Sequence, residues 1–95
     1  MVVVVLENAP PRLRGRLRLW LIEVRTGVYV GAGGGALRSL IWAEIEREIG
    51  AGGALMMWRA PAEEGFDWKA TGPGQMPSSD FDGLRLPGHM SRETK

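Results

Sequence analysis

The chain opens on Val2–Leu6, a valine run closed by leucine with no polar position in it. A run this short and apolar on both sides predicts a central, buried strand. Asn8, Pro10 and Pro11 break it. Proline is tolerated in the first helical turn, where its missing N–H has no partner to lose, so the dipeptide marks a helix start. From there Leu13, Leu17, Trp20, Leu21 and Val24 fall within ~100° of arc, the width of a core-facing stripe, and predict a helix running to about Val24. Arg12 and Arg16 flank the stripe on one side, Arg14 and Arg18 on the other.

Arg25–Val30 reads as extended, with a kink or hairpin at Thr26 and Gly27, because Val28, Tyr29 and Val30 are strand formers bounded by Gly31. The recurrence of Leu37, Leu40, Ile41, Glu44, Ile45 and Glu48 predicts a second helix over Ala36–Ile49, with glutamates on its outer face and Gly50–Gly53 as its stop. Leu55–Arg59 and Phe66–Ala70 read as two further strands, with Pro61–Gly65 able to close a hairpin between them. Beyond Gly72 the chain turns to Gly, Pro and Ser, with Gly83–Leu86 as a late strand and Pro87 onward as a solvated tail. The expected organisation is one domain over 1–87 and a tail over 88–95. Two helices interleaved with at least four strands predict an α+β, ferredoxin-like sandwich: an antiparallel sheet with both helices on one face. The other face then needs cover, and a second copy of it gives a two-fold homodimer.

Composition narrows the classes. With 95 residues and no cysteine, the chain has room for one small core and can add neither a disulfide nor a thiolate zinc site. The leading apolar run is too short for a signal-peptide core or a membrane span, so a cytoplasmic protein without membrane attachment is expected. Twelve basic residues against eleven acidic ones leave a net charge of +1, but the two signs are segregated along the chain. Arg12, Arg14, Arg16, Arg18 and Arg25 come early, whereas Glu44, Glu46 and Glu48 crowd the second helix, which predicts one positive and one negative surface. Ten of the twelve cations are arginine, whose planar fork pairs bidentately with phosphate or carboxylate.

Four arginines between Pro11 and Arg18 can be a solubilising rim, their stems covering apolar neighbours. Phosphate binding accounts for their crowding at one helix start better than solubility does, and the helix dipole favours an anion there. Gly15, on the outer face, costs ~1 kcal/mol of helix stability relative to Ala yet allows close approach. Glu7, at the end of the first strand, either stabilises the following helix start or pairs with a nearby Arg, or else shares an ion with its counterpart across a dimer axis. Glu63 and Glu64 are alternative acids or loop solvation. No Ser, Cys or Thr stands beside a His, and His89 falls in the tail, which sets aside a triad enzyme. Gly31, Gly33 and Ala36 match G-x-G-x-x-A, but the chain is too short for a doubly wound sheet and the glycine run produces chance matches. Trp20, Trp42, Trp58 and Trp68, with Met56 and Met57, sit at helical and strand spacing and read as packing.

Glu7, Asn8, Pro10–Leu17, Trp20, Leu21, Glu23–Arg25 and Gly27–Gly31, continued by Ile41, Trp42, Gly65, Phe66 and Asp82–Leu86, resemble CRISPR-associated protein 2 of the type I-E branch over most of Val2–Leu86. The resemblance implies a ferredoxin-like homodimer that bridges two dimers of the CRISPR integrase and holds double-stranded foreign DNA during spacer acquisition in antiviral defence. It implies duplex-backbone contacts from Arg12 and Arg14, with Arg16 and Arg38 as further candidates. Such contacts position a duplex without reading its sequence. It also implies docking of the integrase on Asp82, Gly83, Leu84, Arg85 and Leu86, by adding a strand to an edge. The alternative that the family carries is a Mg²⁺-dependent endonuclease acting on RNA or double-stranded DNA at the dimer axis. In that case Glu7 would be the catalytic acid and metal ligand, where many relatives outside the branch have Asp. Gln75, Met76 and Pro77 stand where relatives can carry a basic pair, which shifts the expected DNA affinity toward the helix and the partner. A small-ligand sensor using the Gly31–Gly35 loop is the third expectation.

Overall fold

β1 (Val2–Glu7) forms from the valine run and takes the centre of an antiparallel sheet. The computed structural model describes residues 1–59 and 65–72, and over these the chain continues as α1 (Pro11–Leu17), β2 (Ile22–Arg25), β3 (Val28–Gly31), α2 (Gly35–Glu48), β4 (Gly53–Arg59) and β5 (Phe66–Thr71). The strands lie in the order β2-β3-β1-β4-β5, and each pairs antiparallel with its neighbours. The first six elements make the βαββαβ pattern of a ferredoxin-like α+β fold, and β5 extends its sheet beyond β4. No helix among the described residues is long and apolar enough to cross a membrane.

The alternation of β1 decides where the core lies. Val2, Val4 and Leu6 are buried under the helices against Tyr29 of β3 and Ala54 and Met56 of β4. Leu13 and Leu17 from α1, and Ile41, Trp42 and Ile45 from α2, close this layer from above. Each fully buried Leu, Ile or Val contributes ~1.5–3 kcal/mol relative to exposure, so this one face supplies most of the stability. The opposite face is apolar as well. Cross-strand register aligns Ile22, Val30, Val3, Met57 and Trp68 in one row, and Val28, Val5, Leu55 and Ala70 in a second.

The first helix stops well short of Val24. α1 ends at Leu17, and the hydrogen bond from Leu21 N to Leu17 O at 2.9 Å carries a helical path only through the following turn. That turn keeps Leu21 in the core while Trp20 packs against it, which preserves the helical spacing of the stripe. Ile22, Glu23, Val24 and Arg25 instead alternate apolar and charged residues, and they pair with β3 around Gly27, whose φ of 81° lies in the left-handed region. A hairpin satisfies those backbone groups and leaves Val24 57% exposed. A Cβ on Gly27 would stand 2.7 Å from the Leu6 carbonyl oxygen, so the turn and β1 are packed backbone to backbone.

α2 matches its expected span to within a residue at either end, but its faces differ from expectation. Leu40 is 55% exposed, whereas Glu44, expected on the outer face, is buried. At the other end of β1, Asn8 has a φ of 56° and a Cβ on Gly52 would collide with the carbonyl oxygens of Glu7 and Asn8. The connection through 61–64, the late strand over Gly83–Leu86 and the tail over 88–95 lie outside the described residues, as do Glu63, Glu64, Gln75–Pro77 and His89.

Candidate nucleic-acid interface

The proline start of α1 places Arg12, Arg14, Arg16 and Arg18 along a helix and its first following residue, alternating between two flanks. Arg12 and Arg16 face α2: Arg12 Nε lies 4.0 Å from Glu48 Oε2, and Arg16 Nε lies 3.2 Å from Glu44 Oε2. Arg14 and Arg18 face β2 and share Glu23, with Arg18 Nε donating to Oε1 at 2.9 Å and Arg14 donating to Oε2 at 3.4 Å. The two-sided arrangement read from the helical spacing is therefore present. The segregation of charge is not, because the fold carries the acidic stretch of α2 against the basic stretch of α1.

The three carboxylates hold their arginines differently. Glu23, with a side chain 14% exposed, also accepts the Gly27 backbone N–H at 2.9 Å. That backbone bond first, and Arg18 second, lower its pKa from 4.5 to about 2. Glu44 is 6% exposed and bonds Arg47 as well as pairing with Arg16, which explains how a glutamate can be buried in α2. Glu48 is looser: it stands 3.7 Å from Arg47 and 4.0 Å from Arg12, and neither contact is a hydrogen bond.

Beneath Arg14 lies Tyr29, fully buried, with no hydrogen-bond partner for its hydroxyl. Burial raises the Tyr29 pKa. The nearby hydroxyl dipole, and after it the Glu23 charge, hold the Arg14 guanidinium above its ordinary range against the opposing effect of burial. The influence of the hydroxyl is that of an adjacent dipole rather than of a formed bond. Arg14 is thus a partly sheltered, pinned cation with a side chain 33% exposed, whereas Arg12 is 78% exposed.

Arg38 stands apart from this group. It lies in the first turn of α2, about 15 Å along the helix from Glu48 at a rise of ~1.5 Å per residue, and its guanidinium covers the Trp58 ring at 4.7 Å. Glu7 is exposed at the end of β1, on the same side of the sheet as Val3 and Val5 and away from the helices. Among the described residues no three His, Cys, Asp or Glu side chains converge as a metal site, so Glu7 brings no acidic cluster with it. Asp82, Gly83, Leu84, Arg85 and Leu86 lie outside the described residues.

Sequence reasoning missed the roles of Glu23, Glu44 and Glu48. The signal for Glu23 was available in the alternation of Ile22–Arg25 ahead of Thr26 and Gly27, which places its carboxylate in a hairpin beside α1. No local signal marks Glu44 or Glu48 as partners of α1, since that pairing depends on the helices packing together.

The family model of the CRISPR-associated protein Cas_Cas2CT1978 matches residues 1–86, a span that contains β1 through β5 and every arginine of this group. The chain belongs to that family, and is a CRISPR-associated protein of the Cas2 kind.

Proposed function

We propose that the chain is a CRISPR adaptation subunit of the type I-E branch, which forms a homodimer, bridges dimers of the CRISPR integrase and grips double-stranded foreign DNA while spacers are acquired. The observation that carries the reading is the arginine row on α1, with Arg12 78% exposed at one end of the helix pair. In this reading Arg12 and Arg14 contact the sugar-phosphate backbone and Arg16 adds a third cation. Arg38, at the far end of α2, reaches another part of the same duplex. Backbone contacts of this type supply affinity without sequence preference, as capture of arbitrary DNA requires.

The apolar rows on the helix-free face support the homodimer, since covering Val3, Val5, Val28, Val30, Leu55 and Met57 with a second copy enlarges a small core. Asp82–Leu86 is the proposed integrase contact. The test is duplex binding by Arg12→Ala/Arg14→Ala. Affinity should fall about equally for all sequences, and the slope of log affinity against log salt should shrink by roughly 1 to 2. Unchanged affinity would remove the reading.

A second reading, Mg²⁺-dependent cleavage of RNA or double-stranded DNA, is favoured by the exposure of Glu7 on the proposed dimer face. The described residues of one chain do not fit a Mg²⁺ site, so no hydrolytic step is derived from them, and the reading needs a second copy to supply a second Glu7. Glu7→Ala in highly purified protein should abolish metal-dependent cleavage and leave duplex binding intact. Cleavage that survives the substitution excludes this residue as the ligand.

A further inference from the structure

The arginines of α1 are already engaged inside the chain, and their three carboxylate partners are not equivalent. Glu23 is fixed by a backbone N–H and two arginines, and Glu44 is buried beneath Arg16 and Arg47. These two orient guanidinium groups and are not free to leave. Glu48 accepts no hydrogen bond among the described residues, keeps 22% of its side chain in solvent and stands opposite the most exposed arginine of the group. Glu48 also lines an open groove with Asn8, Pro10 and Pro11, and the Arg12 side chain, 78% exposed, can be reached by an oxyanion from solvent.

We infer that Glu48 is a displaceable resident anion for Arg12, which a backbone phosphate must replace and which thereby sets the duplex affinity of the chain. A carboxylate and a phosphate compete for the same guanidinium fork. An ion pair at 4.0 Å with one partner largely in solvent is weak, enough to lower affinity a few-fold and readily exchanged. The exchange keeps Arg12 paired when no duplex is present. The bound state then depends on several arginines engaging together. This inference rests on the proposed role of Arg12 in duplex binding and adds its regulation.

The test is Glu48→Gln, which keeps the shape of the side chain and removes its charge. Binding of a short mixed-sequence duplex is followed by fluorescence anisotropy between about 50 and 200 mM salt. The variant should bind roughly 2- to 5-fold tighter than the parent chain across that salt range, with the salt slope little changed, because Arg12 meets a phosphate in both proteins. Glu46→Gln is the charge control. It removes the same charge from the same helix, but Glu46 pairs with the Trp42 indole at 3.0 Å and with no arginine of α1. It should leave both affinity and slope unchanged. In an Arg12→Ala background the gain from Glu48→Gln should vanish.

Equal gains from Glu46→Gln and Glu48→Gln, or a gain that persists without Arg12, would overturn the exchange and attribute the effect to net charge. If the parent chain binds through Arg12 but Glu48→Gln changes nothing, the exchange fails while the duplex-binding reading stands. Absence of salt-dependent duplex binding in both proteins ends both.

Discussion

Glu23 on β2 receives the Nε–H of Arg18 at 2.9 Å across the turn that follows α1. Together with the Gly27 backbone N–H, this contact ties the helix end, the hairpin turn and the arginine row to one carboxylate.

The pH dependence follows from its pKa, about 2 against an ordinary 4.5. A carboxyl group held ionised in the folded chain contributes stability that is fully present above the ordinary value and is lost as pH falls toward and through about 2. The stability advantage of the parent chain over Glu23→Gln should therefore shrink as pH drops from 4.5 toward 2 in denaturant titrations. A pH-independent difference would mean that the Glu23 charge carries none of it.

Gly15→Ala tests the open outer face of α1. Apart from its own helix backbone and chain neighbours, nothing lies within 4 Å of the position a Cβ would take there, so the substitution gains helix propensity without a clash. Stability should rise by ~1 kcal/mol, or ~4–8 °C in thermal midpoint. Duplex affinity should fall if a backbone phosphate seats against the bare helix. Greater stability with unaltered affinity takes Gly15 out of that contact.

Glu44→Ala should cost ~1–3 kcal/mol in denaturant unfolding, because it removes a sheltered acceptor shared by Arg16 and Arg47. Glu44→Met should recover much of the loss. The two arginines keep 46% and 61% of their side chains in solvent and are not left as buried unpaired charges. If both variants lose equally, the charge rather than the packing volume of Glu44 holds the helices together.

Tyr29→Phe addresses a hydroxyl that is fully buried and has no hydrogen-bond partner. Deleting it removes a desolvated polar atom and leaves the ring in place, so stability should hold or rise by up to ~1 kcal/mol. A drop of that size in chemical denaturation would show that the hydroxyl supports Arg14 or Glu23 after all.

Much of the architecture was legible because it is written in local pattern. Val2–Leu6 announces the central strand, Pro10 and Pro11 announce the helix start, and the period from Leu37 to Ile45 announces α2. The error at Ile22–Arg25 has a physical cause: Leu17, Leu21 and Val24 continue a helical spacing, and only pairing with Val28–Gly31 decides against it. Propensity along the chain cannot weigh that pairing. The arginine cluster was legible as well, but its neutralisation was not, since Glu44 and Glu48 reach it only through the packing of α2 on α1. Net charge along a sequence therefore overstated the positive surface.

At the tip of β1 a side chain at position 52 would collide with the carbonyl oxygens of Glu7 and Asn8, so the main chain that carries Glu7 and the loop after α2 are packed directly against each other. The backbone position of Glu7 is therefore tied to the glycine at 52. A bulkier residue at 52 would be felt first at Glu7, so the interior spacing of two loops sets where that acid is aimed.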